Sequence, residues 1–127
     1  MRIRAADYIA RLLKENGYED VFMLTGGGAM FLNNGLGTSE LKCHFMLHEQ
    51  ALAIAAEGYA RTCGKPAVVC VTTGPGGTNA LTGVLGAYLD SIPMLVISGQ
   101  VKNPTTLDYY GLHIRQLGDQ EYPIIRS

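Results

Sequence analysis

Glu49 is the residue whose type and position best suit acid–base chemistry in this sequence. It follows the apolar run Phe45-Met46-Leu47 and precedes an alanine-rich segment that starts at Ala51. A carboxylate at the carboxyl end of a buried strand can have its proton affinity set by burial and by hydrogen-bond partners. The plainer interpretation is that an acid in the first turn of a helix only complements the helix dipole. On the residues alone, both interpretations stay open.

The loop Thr73-Gly74-Pro75-Gly76-Gly77 is the second segment that invites a chemical interpretation. It is a weak candidate for phosphate binding, because Asn79 stands where the G-x-G-x-x-G fingerprint needs its last glycine. The proline also removes one of the amides that a phosphate cradle would use. His44 and His48 are four residues apart across a strand-to-helix junction, so we interpret both as structural residues rather than metal ligands.

Glycine is over-represented, with 16 of 127 residues against a typical ~7%. The glycines concentrate where predicted strands end, at Gly26–Gly28, Gly74–Gly77 and Gly99. Glycine there lets the backbone approach a ligand or a neighbouring chain closely. The alternative is that glycine serves only the tight turns from strand to helix.

Strands and helices that alternate along the chain must position these segments. Apolar residues at Ala5, Tyr8, Ile9, Leu12 and Leu13 have helical spacing, and Gly17 ends that helix. The other patterns predict strands at 21–24, 42–47, 67–72 and 93–98, and helices at 29–36, at 49–62 and through Leu81 and Leu89. This alternation predicts an α/β fold, a parallel sheet with helices on both faces, in one domain over residues 1–127.

Composition excludes several classes of function. The formal net charge is -1, so we expect no nucleic-acid partner and no attraction to an anionic membrane surface. No apolar run approaches ~18 residues, so no membrane-spanning segment is predicted. The three cysteines match no metal or redox spacing, and we interpret them as reduced thiols of a cytoplasmic protein.

Several motifs, in the same order and spacing, resemble thiamine diphosphate enzymes of the acetolactate synthase type. They are His48-Glu49-Gln50, Ala56-Glu57-Gly58-Tyr59-Ala60-Arg61, Gly64-Lys65-Pro66, Thr72-Thr73-Gly74-Pro75-Gly76-Gly77-Thr78-Asn79, Asp90-Ser91-Ile92-Pro93, Ser98-Gly99-Gln100-Val101 and Gln120-Glu121. The resemblance covers about residues 3 to 126. It implies the three-layer α/β/α thiamine diphosphate-binding fold, and in particular the N-terminal domain that binds the aminopyrimidine ring.

The resemblance also implies roles for individual residues. The glutamate matching Glu49 hydrogen-bonds N1′ of the pyrimidine and favours the imino tautomer, which removes the proton from thiazolium C2. Thr72, Pro75 and Asn79 match residues beside the pyrimidine, and Gln120 matches a glutamine that points at the substrate. Gly26 and Gly27 match a glycine pair that closes over the cofactor of the facing subunit. A proline precedes that pair in the family, where this chain has Thr25.

Members of the family are several times longer than this chain. Their C-terminal domain holds the diphosphate and Mg²⁺, and a central domain binds FAD in some members. The resemblance therefore implies a pyrimidine-binding domain, lacking its last helix and strand, of a 2-keto-acid carboligase or decarboxylase. We expect the chain to be inactive alone. It would need a diphosphate-binding domain, on another chain or a missing segment, and would form a homo-oligomer.

Two alternatives stay open on the sequence. One is a chain of a split 2-keto-acid decarboxylase, and the other is a non-catalytic interaction module that keeps the fold. We further expect Glu57 on the surface, paired with Arg61 at i+4. Gly83, Gly86 and Ala87 are expected to face a helix of a second domain, on the side opposite Leu81 and Leu85.

Overall fold

The order of elements is the predicted alternation of strands and helices. The computed structural model describes residues 2–101. They form α1 (Ala5–Glu15), β1 (Asp20–Met23), α2 (Met30–Gly37), β2 (Lys42–Phe45), α3 (Glu49–Cys63), β3 (Ala67–Val71), α4 (Pro75–Leu89) and β4 (Met94–Ser98). A 3-10 turn, Gly27–Ala29, leads into α2. No helix in this part of the chain is long and apolar enough to span a membrane.

The sheet has the order β2-β1-β3-β4, and all its pairings are parallel. From β1 the chain crosses to β2 on one side, and then returns to β3 on the other. The loops after β1 and β3 are therefore neighbours at the point where the winding reverses. In open α/β sheets, ligands bind outside the carboxyl ends of the strands at such a point.

Helices cover both faces of the sheet, which confirms the predicted fold class. Phe22, Val69 and Val71 face a cluster formed with α3 and α4. Val21, Met23, Val68 and Cys70 face the opposite cluster, formed with α1 and α2. Every residue of β3 is buried, as expected for a central parallel strand with helices on both sides.

The predicted inner face of α1 is wrong in detail. In α1 the buried residues are Ala6, Ala10 and Leu13, whereas Tyr8 and Leu12 are exposed. The small side chains face inward because α2 packs closely there, and a Cβ on Gly35 would lie 2.8 Å from the Ala6 carbonyl carbon.

The strand before Glu49 is also less buried than predicted. β2 ends at Phe45 and is an edge strand, because it pairs only with β1 in the described sheet. Phe45 is 63% exposed and Leu47 is 100% exposed. The burial of Glu49 therefore has another source than its preceding strand.

The small residues of α4 pack within this chain, so the expectation that they face a second domain is wrong. A Cβ on Gly83 would lie 2.6 Å from Ala53 Cβ and 3.0 Å from the Ile54 nitrogen. The glycine thus brings α4 against α3. The opposite face of α4 is the one left open, with Leu85, Tyr88 and Leu89 all exposed.

Glu57 is half-buried rather than on the surface. Its pairing with Arg61 is confirmed at 2.6 Å, and the same guanidinium group also bonds the Asp90 carboxylate. The half-buried position follows from the close α3–α4 contact, since a Cβ on Gly86 would lie 3.4 Å from Glu57 Oε2. This network ties the end of α3 to the end of α4.

Candidate functional site

Glu49 is the first residue of α3 and is only 8% exposed. Within residues 2–101 it is the one charged side chain that is buried. The preceding residue caps the helix, because His48 Nδ1 accepts a hydrogen bond from the Gln50 amide at 3.2 Å. The helix start therefore fixes the Glu49 backbone and directs its carboxylate toward the neighbouring α4.

Asn79 on α4 is the partner of this carboxylate. Its side-chain nitrogen Nδ2 donates to Glu49 Oε2 at 3.1 Å. The other oxygen, Oε1, has no hydrogen-bond donor among residues 2–101. Since a buried charged oxygen without a donor is costly, it marks a position where a bound group can supply one.

Gly76 leaves space beside that unpaired oxygen. It lies three residues before Asn79, on the same face of α4. A Cβ on Gly76 would lie 3.8 Å from Glu49 Oε1 and 2.8 Å from Thr72 Cγ2. Any side chain at this position would displace Thr72 and narrow the space beside the carboxylate.

Thr72 follows β3 and contacts the glycine turn that follows β1. Its Oγ1 accepts a hydrogen bond from the Gly28 amide at 3.1 Å. A Cβ on Gly26 would lie 2.5 Å from Thr72 Cβ, so only glycine fits there. These strand-end glycines thus serve close packing between loops, which neither interpretation of the sequence anticipated.

The loop that enters α4 has a separate need for glycine. Gly74 has a positive φ of 65°, a conformation that residues with a side chain rarely adopt. Pro75 then occupies the start of α4, where its missing N–H costs nothing and its fixed φ suits the helix. The turn therefore aims the first turn of α4 at Glu49.

The structure brings together most of the residues singled out in the sequence. Glu49, Asn79 and Thr72 border one site, with Gly26 packed behind Thr72. Gly27 and Pro75 are exposed at its rim, and a Cβ on Gly27 would meet nothing within 4 Å. Gln120 lies outside the described residues.

No individual role is predicted from the sequence for three residues of the site, although two of them, Gly28 and Gly76, belong to the strand-end glycine clusters. Gly76 borders the carboxylate, Gly28 donates its amide to Thr72, and Asn33 Nδ2 donates to the Gly26 carbonyl at 3.5 Å. The i, i+3 spacing of Gly76 and Asn79 is a usable signal for the first. Asn33 carries no signal, because it reaches Gly26 only once α2 has folded back over the turn.

A second polar cluster lies at the amino end of the strands, where β1 begins, whereas the Glu49 site lies at their carboxyl end. Asp20 accepts hydrogen bonds from His44 Nε2 at 2.6 Å and from the Tyr59 hydroxyl at 3.0 Å. Burial acts to raise the pKa of Asp20, but the bonds from His44 and Tyr59 outweigh it and the pKa lies below its ordinary value. Burial and the Asp20 carboxylate raise the pKa of Tyr59 to about 12.

This cluster links β1, β2 and α3 and gives His44 a structural partner. Phe22 stacks on the His44 ring with centroids 4.9 Å apart. In the part of the chain that the structure describes, no group of three or more His, Cys, Asp or Glu side chains could hold a metal ion. The candidate site is therefore the one built around Glu49.

Comparison with known proteins identifies the family of this chain. Residues 3–121 match the family model described as thiamine pyrophosphate enzyme, N-terminal TPP binding domain. The acetolactate synthase large subunit of Haemophilus influenzae is 44% identical over 101 residues, covering 79% of this chain and 18% of that protein. The acetolactate synthase isozyme 3 large subunit of Escherichia coli is 43% identical over 100 residues, covering 78% and 17%.

The chain thus spans less than a fifth of the length of these relatives. The matched region includes both loops of the site and the two helices that carry Glu49 and Asn79. The model match extends over nearly the whole sequence. The chain therefore belongs to the thiamine pyrophosphate enzyme family, matching its N-terminal TPP-binding domain.

Proposed function

We propose that this chain binds the aminopyrimidine end of thiamine diphosphate, in an enzyme that ligates or decarboxylates 2-keto acids. In this proposal Glu49 hydrogen-bonds the ring nitrogen N1′. The observation that carries it is the buried Glu49 carboxylate, with Oε2 held by Asn79 and Oε1 without a protein donor. A carboxylate so placed can share a proton with a ring nitrogen.

The surrounding residues fit a flat heterocycle. Gly76 keeps the space beside Oε1 free of a side chain, and Asn79 fixes the carboxylate plane by holding the other oxygen. When bound, thiamine diphosphate supplies a carbon nucleophile that stores the electron pair released in decarboxylation. The part of Glu49 is to hold the proton at N1′, and that of Asn79 is to orient Glu49.

The diphosphate and its Mg²⁺ are, in this proposal, held by a C-terminal domain on a longer chain or on a partner. The relatives are more than five times as long as the matched region, which leaves room for such a domain. The isolated chain would then bind the cofactor weakly, because the diphosphate of the cofactor would make most of its polar contacts with that other domain.

We also propose that a second copy covers the open face of α4. Leu85, Tyr88 and Leu89 are 55%, 78% and 70% exposed on consecutive turns of that helix. Exposed apolar patches of this kind are typical of protein interfaces. A two-fold pairing of identical patches is the commonest way to cover them.

The test is the Glu49→Gln variant, assembled with a diphosphate-binding domain from the continuation of the same gene or from a separate chain. Thiamine diphosphate-dependent consumption of 2-keto acids is measured, and so is deuterium exchange at thiazolium C2. We expect both to fall by roughly 100-fold or more, the range for loss of an acid–base group. Glu57→Gln, which alters a half-buried glutamate of the same helix, is the matched control and should keep activity. Normal turnover by an assembled Glu49→Gln enzyme would overturn the proposal.

A further inference from the structure

We propose that Thr72 is a positioning residue, which holds the Gly26–Gly28 turn against the Glu49 site through its hydroxyl group. This inference rests on the proposed function for the identity of the ligand. It concerns a role distinct from direct contact with that ligand.

The Thr72 hydroxyl group is already engaged within the protein. Oγ1 accepts the Gly28 amide at 3.1 Å, and that amide belongs to the 3-10 turn that starts α2. Gly28 is held on two further sides. Its missing Cβ would lie 2.6 Å from Thr73 Cγ2, and a Cβ on Gly99 would lie 2.5 Å from the Gly28 carbonyl oxygen.

The methyl group of Thr72 lies toward Gly76 in the first turn of α4. A Cβ on Gly76 would lie 2.8 Å from Thr72 Cγ2, whereas it would lie 3.8 Å from Glu49 Oε1. One side chain therefore contacts the turn after β1 with its hydroxyl group and the first turn of α4 with its methyl group. A shift of the Gly26–Gly28 turn is transmitted to the space beside the carboxylate through this residue.

The sequence of the turn makes such a support necessary. Residues 25–28 read Thr-Gly-Gly-Gly, and glycine gives the unfolded and loosely folded chain many accessible conformations. Besides the backbone hydrogen bond from the Ala29 amide to the Gly26 carbonyl, two side chains outside the turn bond to it: Thr72 accepts the Gly28 amide, and Asn33 donates to the Gly26 carbonyl. The Thr72 bond is the shorter of the two.

The experiment compares Thr72→Val, which keeps the shape and loses Oγ1, with Thr72→Ser, which keeps Oγ1 and loses the methyl group. Native-state hydrogen exchange of the Gly28 amide is measured by NMR in the full 127-residue chain. We expect exchange to be roughly fivefold to tenfold faster in Thr72→Val, as for loss of one hydrogen bond. In Thr72→Ser it should stay within about twofold of the parent chain. Unchanged exchange in Thr72→Val, or equal acceleration in both variants, would overturn the role of the hydroxyl group.

The second readout uses the variants assembled with a diphosphate-binding domain. Thr72→Val should raise the KM for thiamine diphosphate roughly fivefold to tenfold, whereas Thr72→Ser should keep this KM within about twofold of the parent. A merely structural role would lower thermal stability without this difference in KM between the variants, and an unchanged KM in Thr72→Val would refute positioning. If the parent assembly shows no thiamine diphosphate-dependent turnover while the amide exchange follows the expected order, the proposed function fails and the support of the turn by Thr72 stands.

Discussion

Asn79 donates a hydrogen bond to Glu49 across the first turns of two helices that follow different strands. Thirty residues separate the two side chains in sequence, so the bond forms only after α3 and α4 have packed. The orientation of the carboxylate is thus a consequence of tertiary packing, and the geometry of the site depends on how closely the two helices approach.

Loss of the Asn79 amide should destabilise the protein through Glu49. In Asn79→Ala the buried carboxylate has no protein donor, and we expect a loss of about 1.5–3 kcal/mol in the free energy of unfolding, measured with urea. The cost should fall below about 1 kcal/mol in a Glu49→Gln background, because the buried charge is gone. Asn16→Ala, which removes an exposed amide bond at the end of α1, is the control. Equal costs in both backgrounds would contradict the pairing.

The contact between α3 and α4 should not tolerate a methyl group at Gly83. Gly83→Ala places a Cβ 2.6 Å from Ala53 Cβ and 3.0 Å from a backbone nitrogen, so the helices must separate, at about 1–3 kcal/mol. Gly58→Ala is the matched control in α3, where a Cβ meets nothing within 4 Å. The control should gain about 0.5–1 kcal/mol from helix propensity. Thermal unfolding measures the stability of both variants against the parent, and a stabilising Gly83→Ala would refute the close contact.

The Tyr59–Asp20 bond should make stability depend on alkaline pH. The pKa of the Tyr59 phenol is raised to about 12 from ~10 in the unfolded chain. The bond therefore contributes fully to the free energy of unfolding below pH ~10, and this contribution is lost as the pH rises toward 12. Tyr59→Phe should cost about 1–2 kcal/mol at pH 8, and the difference from the parent should shrink between pH ~10 and ~12. Urea unfolding at several pH values measures it, and a difference that stays constant above pH 10 would contradict the assignment.

The open face of α4 should govern self-association. Leu85→Glu introduces a charge into the Leu85, Tyr88 and Leu89 patch, so we expect a dimeric parent chain to become monomeric with an unchanged circular dichroism spectrum. Sedimentation velocity measures the oligomeric state of each protein. Leu12→Glu, at an exposed leucine of α1, is the control and should leave the association unaltered. The same oligomeric state in all three proteins would exclude this face as the contact.

Hydrophobic periodicity and strand-end glycines were sufficient to predict the elements of this fold. The α3 helix was predicted at 49–62 and lies at Glu49–Cys63, and the strand predicted at 67–72 lies at Ala67–Val71. These patterns are local, since each reflects whether a segment is covered on one side or two. The order β2-β1-β3-β4 follows from contacts between distant segments, which periodicity does not record.

The parts that could not be predicted depend on side-chain size at contacts between helices. Gly83 was assigned to an interface with a second domain, but it faces Ala53 of the same chain. Likewise the functional interpretation of Glu49 places it at the end of a buried strand. It is buried instead where the first turn of α4 meets it, while Leu47 is fully exposed. Sequence spacing gives the faces of one helix, but it does not say which neighbour covers each face.

The glycine contacts among the loops have a consequence for the dynamics of this edge of the sheet. Gly26 and Gly28 pack on the residues that directly follow β3, and Gly99 bonds back to Val71. Every residue of β3 is buried, so these loops pack against the part of the sheet that should open last. The turn after β1 is held by side-chain hydrogen bonds in addition to this packing, so we expect its amides to exchange by local opening, more slowly than those of a free loop but faster than those of β3. A ligand entering such a site meets a preformed surface and loses little affinity to ordering the chain.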